Sequence, residues 1–252
     1  MQDIFAEDTG NGTPLVLVHG FLGSSEMWSP QINFFKDNFR VIAPALPGFG
    51  KSSTIKPCNT IECMAKSILN FLDKEGIENF YLLGHSMGGM VVQEMVKIAA
   101  EKILKLVCYG TGPRGNIPGR FETIDQSRKQ LKINGLKDTA YRIAKTWFIE
   151  EEKAKYFYLC EEAGKQTSAE AADKGLVAMK KWNGIKNLKN IKNETLIVWG
   201  DQDRAYNLSQ VETLNKNIPN SNLRVIKNCS HNVHLENPDE FNIIVEEFLK
   251  RK

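Results

Sequence analysis

The sequence predicts an α/β fold: a mostly parallel sheet with helices on both faces and a helical lid inserted between two core strands. Three observations lead there. Short runs rich in Val, Ile and Leu recur along the 252 residues, most ending near Gly, Pro or Asn, as buried strands do. Helical patterns separate most of these runs, and such alternation implies parallel strands covered on both sides. From about Gly112 to Leu188 no convincing strand appears, only candidate helices.

The expected strands are Leu15 to Val18, Arg40 to Ala43, Phe80 to Leu83, Ile103 to Tyr109, Thr195 to Trp199 and Leu223 to Ile226. Between them, Ile61 to Lys74 places Met64, Ile68, Leu69 and Leu72 at helical spacing. Met90 to Ala99 and Val211 to Lys216 read the same way, and Pro238 opens a last amphipathic helix through Phe248. In the gap the candidates are Phe121 to Asn134, Asp138 to Phe148, Glu150 to Lys165 and Ser168 to Trp182. Asp138 and Ser168 are residue types that cap helix N-termini. The sheet pattern resumes at Thr195, which favours an insertion over a separate domain. The expected division is a core of residues 1–111 and 189–252 with a lid of 112–188.

Composition narrows the function classes. The chain is 42% apolar and 25% charged with a formal charge of +3, an ordinary globular balance. Basic residues are scattered among acidic ones, without the basic stripe and interleaved aromatics that nucleic acid requires. No apolar run approaches a membrane span. The five cysteines are odd in number and show no C-x-x-C spacing, which argues against a disulfide framework or a zinc site. They suit a reducing compartment, and M-Q-D-I-F-A-E-D is no signal peptide, so the expected location is the cytoplasm.

The strongest chemical signal is G-H-S-M-G, Gly84 to Gly88, directly after a strand and before a helix. In that context it is a nucleophile elbow, a sharp turn that holds the Ser86 hydroxyl beside free backbone N–H groups. A serine hydroxyl needs a base, held in turn by a carboxylate. There are four histidines. His19 and His85 sit at strand and elbow positions that suit structural roles. His231 and His234 share C-S-H-N-V-H-L-E, in the loop before the last helix and at the sheet edge where the elbow opens. An H-x-x-H metal pair is the alternative for these two, but no third ligand of suitable spacing accompanies them.

A-L-P-G-F-G-K-S, residues 45–52, suggests a phosphate-binding P-loop with Ala45 in place of the first glycine. Pro47 removes a backbone donor, and Pro57 leaves no room for the helix whose N-terminus would hold phosphate. A strand-ending turn is the better reading, with Lys51 and Ser52 as surface residues.

Taken in order, H-G-F (19–21), L-P-G-F-G-K-S (46–52), G-H-S-M-G-G (84–89), W-G-D-Q-D (199–203) and S-H-N-V-H-L-E-N-P (230–238) resemble the successive motifs of the α/β-hydrolase superfamily. The chain departs from it at Ala45, where relatives usually carry aspartate. The resemblance implies the α/β-hydrolase fold and a Ser-His-Asp triad. The family's H-x4-E-x-P pattern selects His231 as base, with Glu236 and Pro238 following. Its G-x-x-D spacing from Gly200 selects Asp203 as the acid, leaving Asp201 to shape the turn. Backbone N–H groups of Met87 and Phe21, or Leu22 in place of Phe21, would form the oxyanion hole.

The lid and the loop near Trp28 are expected to set specificity. Phe121, Ile124, Trp147, Phe148, Met179 and Trp182 are candidates to line an apolar pocket. Arg114, Arg120 and Arg128 are candidates to bind a substrate carboxylate. S-M-G-G-M-V-V-Q-E, with R-F-E and K-T-W-F in the lid, is similar to the 3-oxoadipate enol-lactonases. That resemblance is shared with carboxylesterases, carbon–carbon bond hydrolases and cofactor-free haloperoxidases. The expected activity is hydrolysis of a small carboxylic ester or lactone by a monomer or homodimer, with no metal or cofactor. A non-catalytic small-ligand binder on the same fold is the competing class.

Overall fold

The computed structural model describes residues 3–117 and 119–251. Seven strands form one sheet: β1 (Ala6–Thr9), β2 (Pro14–Val18), β3 (Arg40–Pro44), β4 (Phe80–His85), β5 (Ile103–Tyr109), β6 (Thr195–Gly200) and β7 (Ser221–Ile226). Their spatial order is β1-β3-β2-β4-β5-β6-β7, and every pairing is parallel except β1 with β3. The sheet therefore has the expected α/β architecture.

Alternation along the strands divides the interior into two cores. Leu15, Leu17, Val41, Leu83, Val107 and Val198 face one way and pack on α1 (Ser29–Phe35) and the C-terminal helix α9 (Pro238–Lys250). Val16, Val18, Ile42, Leu82, Leu106 and Ile197 face the other, against α2 (Ile61–Lys74), α3 (Met87–Ala99) and α7 (Leu208–Asn217). A strand buried on both faces reads as a continuous apolar run, which is why these strands were legible. Burying one such Leu or Ile contributes about 2 kcal/mol.

Helix α2 spans the expected residues. The Thr60 hydroxyl caps it by accepting from the Cys63 N–H, and Met64, Ile68, Leu69 and Leu72 are buried. Strand β1, A-E-D-T, was not expected because it carries no apolar pattern; backbone pairing to β3 and the Asp8–Arg40 ion pair hold it at the sheet edge. Helix α1 and the single-turn α8 (Val233–Glu236) are likewise too short for a periodic signal.

Between β5 and β6 lie α4 (Ile124–Lys145), α5 (Phe157–Gln166) and α6 (Ala169–Lys181). Helix α4 covers the region where two helices were expected, with a kink at Gly135 (φ 76°, ψ 177°). The break falls at the glycine, inside the gap expected between Asn134 and Asp138, and the second stretch is already helical before Asp138, which therefore does not cap it. A reciprocal Thr123–Gln126 capping box starts α4, and Ser168 caps α6 through the Ala171 N–H. The expected helix from Glu150 is a short 3-10 turn over 151–153 followed by α5.

Two expectations are corrected. Cys58 and Cys63 form a disulfide, with Cys108, Cys160 and Cys229 free. Cys63 lies in the first turn of α2, and the chain entering that helix brings Cys58 to a Cα separation of 5.6 Å, well inside disulfide range. The bond removes the cysteine argument for a reducing compartment. Ser52 is not a surface residue: it is fully buried, and its hydroxyl accepts the Phe5 N–H at 2.9 Å. Among the described residues no helix is long and apolar enough to cross a membrane.

Candidate active site

Strand β4 delivers Ser86 to the N-terminus of α3 with φ 54° and ψ −117°, a strained conformation for a residue with a side chain. The flanking glycines make that turn possible. A Cβ on Gly84 would lie 2.4 Å from the Gly88 carbonyl oxygen, and one on Gly88 would lie 2.3 Å from that of Val18. The Ser86 N–H donates to Tyr109 O at 2.9 Å, and the Thr111 hydroxyl donates to Ser86 O at 2.8 Å, so both sides of the turn are pinned.

The loops after β6 and β7 bring Asp203 and His231 together. His231 Nδ1 lies 2.9 Å from Asp203 Oδ2, with both side chains almost wholly buried. The other carboxylate oxygen accepts the N–H groups of Ala205 at 2.7 Å and Tyr206 at 3.0 Å. Those donors fix the carboxylate, which in turn fixes the imidazole with Nδ1–H donating and Nε2 free to accept. Asp201 instead accepts the Asn228 N–H at 2.8 Å and closes the turn. Glu236 caps the His231 loop through Ser230 N–H at 2.6 Å and reaches the lid through Ile149 N–H at 2.7 Å; its burial raises its pKa above the usual carboxylate value.

The remaining histidines support this frame. His19 donates from Nδ1 to Gly20 O and accepts the Leu46 N–H on Nε2 at 3.0 Å, tying the 19–23 loop to the 45–52 turn. Burial lowers its pKa to about 4. Tyr109 donates its hydroxyl to His231 O at 2.9 Å, and His85 Nε2 reaches the same carbonyl at 3.2 Å. With that proton committed, the contact of 3.0 Å between Tyr109 Oη and His234 Nδ1 is a donation from the ring, leaving His234 Nε2 an unpartnered acceptor. Burial takes His234 to about 3 and His85 well below the ordinary value. The sheet-side face of His231 is thus held by neutral rings.

Ser86 and His231 line one cavity of about 20 Å³, room for roughly one water. Phe21 also lines it, and Met87 sits at the first position of α3. Neither Phe21 N–H nor Met87 N–H has a hydrogen-bond partner among the described residues. Leu22 adopts φ 56° beside them. Among the described residues no group of three or more His, Cys, Asp or Glu side chains could hold a metal ion.

Of the expected specificity residues, Trp147 and Arg120 line the cavity, as do Ile124 and Met179. Trp28 does not: it is buried behind the site, its ring 4.7 Å from that of His234. Phe148 is fully buried and packs on Phe157 inside the lid, because the α4–α5 junction needs a large apolar filler. Phe121 lies under the Arg120 guanidinium at 4.9 Å, and Trp182 donates Nε1–H to Glu94 at 3.2 Å, bracing the lid on α3. Arg128 pairs with Asp173, and Arg114 bridges Asn183 through its backbone. Gly115, Ile117, Ala205 and Tyr206 also line the cavity, although no motif marks them. Tyr206 carried one available signal, its place three residues after Asp203.

The α/β hydrolase fold family model matches residues 13–238. The chain belongs to that family. It is 27% identical to a 2-hydroxy-6-oxononadienedioate/2-hydroxy-6-oxononatrienedioate hydrolase of Comamonas testosteroni, covering 98% of this chain and 91% of the relative. It is 26% identical to a pimeloyl-[acyl-carrier protein] methyl ester esterase of Legionella pneumophila, covering 99% and 100%. The enol-lactonase from Burkholderia xenovorans LB400 superposes with a TM-score of 0.90 over 98% of this chain and 96% of that one; at 22% identity this is a likeness of fold.

Proposed function

We propose that the protein hydrolyses a small carboxylic ester or lactone through an acyl-Ser86 intermediate. The supporting observation is that a strained serine and an aspartate-oriented histidine meet at one cavity. His231 Nε2 takes the Ser86 proton as Oγ attacks the carbonyl carbon, and Phe21 and Met87 N–H groups receive the developing oxyanion. His231 then gives that proton to the leaving alkoxide. Water, deprotonated by the same nitrogen, hydrolyses the acyl-enzyme and restores Ser86. In a lactone the leaving alkoxide stays attached to the acyl group until hydrolysis releases the hydroxy acid. A fluorophosphonate that labels wild type and not Ser86→Ala, together with loss of ester hydrolysis in that variant, tests the reading. Near-normal turnover by Ser86→Ala would overturn it.

Carbon–carbon bond hydrolysis is the second reading, favoured by the likeness to the Comamonas hydrolase. A panel of esters, lactones and vinylogous diketones separates the two. The cavity has room for about one water, so some of its wall must move to admit any of these substrates.

A further inference from the structure

Two of the four lid arginines are neutralised by carboxylates. Arg128 makes a two-point pair with Asp173 at 2.8 and 3.1 Å, and Arg142 makes one with Glu122 at 2.8 and 3.1 Å. Arg120 has no carboxylate within ion-pair distance among the described residues, because its near neighbour Glu122 is taken by Arg142. Yet Arg120 lines the Ser86 cavity, and its Nη1 is shut off from solvent without a hydrogen-bond partner. Burial lowers the guanidinium pKa, but an arginine stays charged. Apart from His231, the cavity wall beside it is apolar or neutral: Phe21, Ile117, Ile124, Trp147, Met179 and Tyr206. An unpaired cation in such a wall is costly, and a ligand carboxylate relieves that cost through charge-assisted hydrogen bonds.

We propose that Arg120 is an anion subsite, so that the ester or lactone taken by this protein carries a free carboxylate away from the reacting carbonyl. The inference rests on the Ser86 reading for its chemistry and on Arg120 alone for its charge. Tyr206 links the two. Its ring stacks on His231 at 5.8 Å, and it lines the same cavity as Ser86 and Arg120. Arg120 and the nucleophile thus share one cavity wall. The Phe121 ring covers one face of the guanidinium, leaving its N–H edge for a carboxylate.

The test compares mono-p-nitrophenyl glutarate with p-nitrophenyl pentanoate. Wild type should favour the anionic ester in kcat/KM by about tenfold or more, and Arg120→Met should cut that ratio by about 100-fold. Arg120→Lys, which keeps the charge and loses the fork, should recover part of it. Equal ratios in wild type and Arg120→Met would overturn the subsite. Glutarate binding to Ser86→Ala by calorimetry is independent of the chemistry. Binding removed by adding Arg120→Met upholds the subsite, even if no ester is cleaved and the Ser86 reading fails. No binding to Ser86→Ala overturns it.

Discussion

Asp203→Asn isolates what the acid does for His231. Asp203 Oδ1 is claimed by two backbone N–H groups, at 2.7 Å from Ala205 and 3.0 Å from Tyr206. An asparagine at this position must keep its carbonyl oxygen on those donors, which turns its NH2 toward His231 Nδ1. That ring nitrogen then has to accept, and the proton moves to Nε2, the atom that should take the Ser86 proton. The geometry survives while the tautomer is wrong, which costs about 10,000-fold in kcat, or about 5 kcal/mol of barrier. p-Nitrophenyl ester hydrolysis gives the rate, and a thermal melt within a few degrees of wild type shows that the fold is intact. Asp201→Asn is the control: its oxygen can still accept the Asn228 N–H, so activity should stay within about twofold. A loss under tenfold in Asp203→Asn, or a larger loss in Asp201→Asn, refutes the assignment of the two carboxylates.

Gly88→Ala should lower stability by about 3 kcal/mol, because its Cβ meets the backbone oxygens of Val18 and His19 at 2.3 and 2.5 Å; an unchanged urea midpoint contradicts this. Stability should also fall in acid. His19 is buried neutral with a pKa of about 4, so between its ordinary 6.5 and 4 the unfolded chain binds a proton that the folded one refuses. Its contribution is complete above that window and falls by about 3 kcal/mol as pH drops through it; urea midpoints that stay flat from neutral to about pH 4.5 would count against a buried neutral His19. Replacing both Cys58 and Cys63 by serine should cost about 2 kcal/mol for so short a closed loop, and alkylation of all five cysteines without reductant would show that the disulfide is absent.

The strands and the elbow were readable because each is specified locally. A strand buried on both faces must be a continuous apolar run, and the Ser86 turn cannot tolerate a Cβ at Gly84 or Gly88. Helix α2 was equally open, with one apolar stripe and a threonine cap. Strand β1 and helix α1 were hidden because their stability comes from partners distant in sequence, not from their own pattern.

For the candidate site, chain order placed the loops of Ser86, Asp203 and His231 at the same sheet edge, since strands of a parallel sheet deliver their following loops to one side, while the family resemblance chose Asp203 and His231 within those loops. Packing decided the rest. Trp28 and Phe148 look like pocket aromatics in sequence and are interior filler in three dimensions, since any large apolar residue serves either purpose. Arg114, Arg120 and Arg128 look alike until the carboxylates are placed, and only Arg120 is left facing the cavity without one. The sequence by itself determined the sheet, the elbow and the loops that carry the site, because those depend on neighbours a few residues away. Which side chains face the cavity, which charges are satisfied and which cysteines are bonded were decided by tertiary structure, because they depend on contacts that chain order does not encode.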